Sequence, residues 1–171
     1  MKNIILKNGI IAGIIVSLFM ACMTLYMKSN PDCEPNMMAG FAGMLVAFIF
    51  IFVGIKQQKE TNNGEISFGK AFLTGFLISL IASIMYVIAW LIIYYNFFPN
   101  FMEQFSEMAI KKAKPEDLAK VTAEMNQYKE WYKSPVMIIL LTLMEILPFG
   151  IIVSLIAALI FSVILKKKKT N

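Results

Sequence analysis

The chain has 171 residues, 58% hydrophobic and 16% charged, with a formal charge of +5, a mean hydropathy of +0.68 and no histidine. A soluble domain carries about 45–50% apolar and about 25% charged residues, so this composition excludes a water-soluble globule. Without histidine there is no His-based triad, no histidine metal site and no HExxH protease. No glycine-rich phosphate loop leads into a lysine and Ser/Thr, and no CxxC pair occurs. An enzyme is not expected, and neither is a cofactor or a bound metal.

Crossing a hydrocarbon core takes about 20 apolar residues at about 1.5 Å each. Four stretches qualify, at residues 9–27, 37–55, 71–95 and 136–165. Lipid offers no hydrogen-bond partner to a peptide group, so uninterrupted apolar runs of this length must be helices. Barrel strands would be about half as long and alternate with polar residues. The expected fold is all-α: a polytopic membrane protein forming one domain over 1–171. It has four transmembrane helices and an extracytoplasmic amphipathic helical segment, 96–134, between the third and fourth.

The first span contains "GIIVSL" at Gly13–Leu18, within a ridge of small residues spaced by four: Gly9, Gly13, Ser17 and Ala21. Apolar burial drives little association in lipid; small residues instead let helix backbones approach closely. At i, i+4 spacing they share one face. The start admits a second reading. Lys2 and Lys7 ahead of "LFMAC" resemble a lipoprotein signal ending at Cys22, although Phe19 and Met20 fill positions where small residues or leucine are usual and the apolar run continues to Met27. In the turn "NPDCEP", Cys33 reads as a free surface thiol, with an intermolecular disulfide as the alternative. Cys22 cannot reach it, because about 11 helical residues separate them by about 16 Å and a disulfide needs Cα atoms within about 7 Å.

The second span repeats the small-residue pattern weakly, with Ala39, Gly43 and Ala47. The third carries "GFLISL" and the ridge Ala71, Gly75, Ser79, Ser83, with Ser67 one turn earlier and Lys70 at the membrane entry. In the long loop that follows, Phe101, Phe105, Met108 and Lys112 fall at helical spacing. After Pro115, a favoured first-turn residue, the apolar positions Leu118, Val121, Met125, Tyr128 and Tyr132 predict a second helix. Phe97, Phe98, Trp131 and Tyr132 flank the two ends of the loop as interfacial aromatics. The expected arrangement is an amphipathic hairpin folded over the outer face of the membrane domain; a receptor for a separate partner is the alternative.

The last span reads "TLMEILPFGIIVSL" from Thr142 and continues the small-residue ridge as Gly150, Ser154, Ala158 and Ser162. Glu145 is the only carboxylate inside an apolar run. Intramembrane acids usually face protein or water and often carry function. Pro148 lacks a backbone donor and crowds the carbonyl of Met144, so a helix kink is expected at Pro148 and Gly150. The run from Val136 to Leu165 would be about 45 Å long against a core of about 30 Å, which leaves the depth of Glu145 open. If the outer boundary lies at Val136, Glu145 is roughly 13 Å deep, level with Tyr86 and near Ser17. Those three form the candidate intramembrane polar site.

All basic residues are lysines. With four spans, both termini share a side with the 56–70 loop, and that side holds nine lysines against Glu60 and Glu65. The opposite side holds seven lysines against eight acids. Lysine-rich short segments stay cytoplasmic, which predicts cytoplasmic termini and makes the net charge topological, not a nucleic-acid footprint. The run Lys166–Lys169 anchors the last helix.

Three stretches, "GEISFGKAFLTGFLISLIASIMYVI", "MNQYKEWYKSP" and "MEILPFGIIVSLIAALIFSVILKKK", resemble a bacterial family of four-span membrane proteins known as domain of unknown function 4199. The resemblance covers nearly the whole chain. It implies one four-span domain in the inner membrane with cytoplasmic ends, and it supplies no activity and no catalytic residue. Two functional readings follow. In the first, a non-enzymatic membrane component associates with itself or with another membrane protein through the faces of Gly9, Gly13, Ser17, Gly75, Ser79, Gly150, Ser154 and Ala158. In the second, a small transporter or channel-like subunit uses Glu145 beside the Pro148 kink.

Overall fold

The computed structural model describes residues 1–30 and 37–165. Cys33 and the Lys166–Lys169 anchor lie outside the described residues. Six α-helices follow in order: α1 Lys2–Ser29, α2 Met37–Glu60, α3 Phe68–Asn96, α4 Phe101–Lys112, α5 Leu118–Trp131 and α6 Pro135–Leu159. A π-helical turn, Ile160–Ile164, extends α6. Four of these helices, α1, α2, α3 and α6 with its extension, are long and apolar enough to cross a membrane.

The helices outrun the apolar stretches that predicted them, by seven residues at the start of α1 and five at the end of α2. The hydrocarbon sets the minimum length of a span, but a helix continues into the headgroup layer wherever nothing breaks it. What ends α2 is the turn Thr61–Gly64, where Asn63 (φ 57°) and Gly64 (φ 81°) adopt left-handed backbone. Gly64 does so without a Cβ penalty. α3 then opens with Ser67 as N-cap, its Oγ accepting from the Lys70 N–H at 3.4 Å. Ser67 therefore caps the helix and does not extend the small-residue ridge. α5 begins at Leu118, because Pro115–Asp117 form a turn instead of its first residues. α6 runs unbroken through Pro148.

α3 is the central rod and packs against α1, α2 and α6. Close backbone approach explains where. α1 runs parallel to α3. A Cβ placed on Gly9 would lie 2.9 Å from the Ile81 Cβ, and one on Gly13 would lie 3.0 Å from the Met85 Cβ, the same offset of 72 residues at both points. α6 runs antiparallel and locks reciprocally. A Cβ on Gly75 would meet Ser154 at 3.0 Å, while one on Gly150 would overlap Ser79. "GFLISL" on α3 and "GIIVSL" on α6 are thus two halves of one contact, each glycine receiving the other helix's serine. Ser154 turns back on its own helix, its Oγ donating to the Gly150 carbonyl at 2.7 Å, whereas the Ser79 Oγ is buried against Gly150 without a hydrogen-bond partner. On α2, Gly43 lies under the Phe19 ring and Gly54 under Ile78.

Polar groups close both ends of the bundle. At the end where α1 begins, buried Asn8 donates to the Ile4 carbonyl at 2.8 Å and to Gln57 Oε1 at 2.9 Å, joining α1 to α2. Nearby, Lys59 Nζ donates to the carbonyls of Phe161, at 3.1 Å, and Leu165. A cation suits the negative end of a helix. Lys59→Met should weaken this corner by about 1.5 kcal/mol, the low end for a hydrogen bond to a charged group because the site is partly exposed. The readout is faster amide exchange confined to the last turn of α6; unchanged exchange there would contradict the assignment. At the other end, Lys28 Nζ donates to the Phe97 carbonyl at 2.6 Å and ties α1 to the end of α3.

The α4–α5 hairpin sits over this second end of the bundle. Phe101 packs edge-on against Trp90 at 4.8 Å between ring centroids, Tyr132 against Tyr94 at 5.5 Å, and Phe101 contacts Phe98, Phe105 and Tyr132 as well. Met102, Ser106 and Met125 are buried beneath it. Half of the stripe that predicted α5 is therefore covered by the chain itself, whereas Leu118 and Tyr128 stay exposed.

Candidate functional site

Beneath the hairpin the four spans do not close. A cavity of about 730 Å³ opens between α1, α3, α6 and the hairpin. A second lobe, of about 260 Å³, reaches toward α2. Both lobes are lined by Met20, Thr24, Tyr86, Phe105 and Glu145. Glycine and serine hold α3 tight against α6 through Gly75, Ser79, Gly150 and Ser154, but one to two turns further along α6 the contact residues become Thr142 and Glu145 opposite Tyr86.

Tyr86, buried on α3, donates through its Oη to Glu145 Oε1 at 3.4 Å. A strong O–H···O bond spans about 2.5–3.0 Å, so this one is weak and leaves most of the carboxylate's accepting capacity unused. Glu145 itself is exposed, opening into the cavity. Other polar groups in the wall are already engaged. The Thr24 hydroxyl donates to the Met20 carbonyl at 2.8 Å, and that of Thr142 to the Ile138 carbonyl at 2.7 Å. Tyr132 lies at the hairpin base. Burial, and then the nearby Glu145 carboxylate, push its phenol up to about 12, so it stays protonated at neutral pH.

Of the three residues expected to meet at the polar site, Tyr86 and Glu145 come together and Ser17 does not. Val16, Met20 and Thr24, at i, i+4 and i+8, turn one face of α1 into the cavity. Ser17 is rotated by about 100° from Val16, and its Oγ is buried without a hydrogen-bond partner. Pro148 and Gly150 lie on the α6 turn below Glu145, where Gly150 takes the Ser79 side chain. Gly9, Gly13, Gly75, Ser79, Ser154 and Ala158 lie in contacts between helices of the same chain. Trp90, Phe105, Met20 and Thr24 line the wall as well, beyond the residues expected there. A tryptophan and a threonine inside apolar runs were the visible signal. Among the described residues, no group of three or more His, Cys, Asp or Glu side chains is placed to hold a metal ion.

Four membrane-length helices around this cavity define a polytopic α-helical integral membrane protein. The chain belongs to the family described as "Protein of unknown function (DUF4199)", whose model matches residues 7–162. No curated protein and no solved structure matches it.

Proposed function

We propose that this protein is a non-enzymatic component of the bacterial cytoplasmic membrane, with both termini cytoplasmic, that receives a small molecule in the cavity at Tyr86 and Glu145. The nine lysines of the terminal side support that orientation. One observation carries the ligand reading: the only carboxylate within the apolar runs is loosely held by one phenol and opens into a cavity under a helical cover. At about 730 Å³, this cavity has the size of small-molecule sites, about 300–1,000 Å³.

Association with a partner through the small-residue faces has less support. Gly9, Gly13, Gly75 and Gly150 each already face a side chain of this chain, at a spacing that leaves no room for a second helix. The carboxylate beside the proline-containing turn supports the transporter-like reading instead.

The protein carries its own reporter, since Trp90 lines the cavity and the chain has two tryptophans. In detergent micelles, the Trp131→Phe variant should show a saturable change in Trp90 emission on titration with tert-butylbenzene, a compact neutral aromatic. N-acetyltryptophanamide in the same micelles should not. Emission from the protein that drifts in parallel with the free indole, without saturating, would remove the basis for a ligand cavity.

A further inference from the structure

Resting on that ligand reading, we infer that the cavity takes a hydrophobic organic cation, an amine or quaternary ammonium group on an apolar body, with Glu145 as its counter-charge and the rings of Trp90, Phe105 and Tyr128 as its walls.

Charge is the first argument. No lysine lines either lobe, and the chain has no arginine or histidine. Lys28, one turn beyond Thr24, spends its ammonium on the Phe97 carbonyl at 2.6 Å. Among the described residues, none forms an ion pair with Glu145. The second carboxylate in the wall, Glu124, is exposed on α5 and stands 4.0 Å from Lys120. Glu145 is thus the one carboxyl group of the cavity with no cation beside it. A charge in a low-dielectric setting calls for an opposite charge, and the fold withholds one.

The polar inventory points the same way. An anionic or hydrogen-bond-accepting ligand needs donors, but the Thr24 and Thr142 hydroxyls are bonded to their own helices and the Tyr86 hydroxyl points at Glu145. Beside Glu145 what remains free is acceptor capacity on the carboxylate, the exposed Tyr128 hydroxyl being a donor out on the hairpin. A cation satisfies that capacity.

The rest of the wall decides which kind of cation. A small inorganic ion would require several oxygen ligands, and the cavity offers one carboxylate without a lysine beside it, Glu124 being next to Lys120. The faces of Trp90, Phe105 and Tyr128 attract a diffuse positive charge within about 6 Å, the recognition used for quaternary ammonium groups. Met20, Met44, Met102, Met125 and Met144 supply polarizable, unbranched side chains that adapt to the shape of an apolar body.

Two isosteres that differ only in charge test this. Phenyltrimethylammonium and tert-butylbenzene place the same four-branched group on the same ring, with nitrogen in one and carbon in the other. Using Trp90 emission in the Trp131→Phe background, with concentrations corrected for partitioning into detergent, the cation should bind at least about tenfold more tightly than the hydrocarbon. Glu145→Gln keeps an oxygen for Tyr86 to donate to and should erase that preference. Tyr128→Leu removes an exposed ring that does not hold the bundle together and should weaken the cation several-fold more than the hydrocarbon; it decides the matter if Glu145→Gln fails to fold. If the hydrocarbon binds as tightly as the cation, the charge assignment is overturned while the cavity reading stands. Should neither probe bind, both fall. A preference for the cation that survives Glu145→Gln in the folded protein would overturn the role given to this carboxylate.

Discussion

Replacing Gly150 by isoleucine should destabilise the protein by about 3 kcal/mol, the upper end for overpacking a well-filled interface. A Cβ at position 150 would overlap the Ser79 side chain and lie 3.1 Å from the Phe48 ring, and Phe48 is itself fully buried. The obstruction comes from a short serine anchored directly to the α3 backbone, so neither helix can give way by a simple rotamer change. The measured quantity is the unfolding midpoint in detergent on titration with a denaturing detergent. Gly40→Ile is the control, since nothing lies within 4 Å of a Cβ there. The reciprocal geometry makes a sharper demand. Gly150→Ala should be costly alone and largely repaired by Ser79→Gly, which removes the colliding atoms. Gly75→Ala should be repaired in part by Ser154→Gly, because Ile51 also lies 3.0 Å from the added Cβ. Strictly additive losses in both pairs would mean that these words do not face one another.

The second large effect concerns the cover of the cavity. Phe101→Ala should release the α4–α5 hairpin at a cost of about 3 kcal/mol, the low end for truncating a packed phenylalanine because Phe101 is only partly buried. Its ring meets Trp90, Phe98, Phe105 and Tyr132 together, so one truncation opens four contacts. The four spans have their own interface through α3 and should remain folded. The expected result is amide exchange accelerated across residues 101–131 with protection unchanged in the spans, a local opening instead of global unfolding. Equal loss of protection in hairpin and spans would show that they form one cooperative unit.

The cavity and its cover were unequally visible beforehand. Four apolar runs announced four helices, and a 3.6-residue stripe announced the hairpin. Glu145 stood out because an acid among apolar residues is rare at any depth. Its pairing with Tyr86 followed only if the outer boundary lay near Val136, and the rods do bring the two within hydrogen-bond distance. Ser17 shows the limit of reasoning by depth: it stands one residue from Val16, yet rotation about the helix axis turns it away from the cavity that Val16 faces. Depth along a helix can be read from a sequence, whereas azimuth requires knowing the neighbours.

The sequence by itself determined the solvent and the rods. An apolar run of span length has one hydrogen-bonded solution in lipid, so helix number, approximate length and the amphipathic cover followed from local composition. Only tertiary structure decided which surfaces meet. A glycine–serine face is complementary to any similar face, on this chain or another, and its partner is chosen by the relative translation and rotation of whole helices. The settled register seats Gly75 against Ser154 and Gly150 against Ser79. The same register brings Tyr86 of one helix to Glu145 of the other in the wall of the cavity.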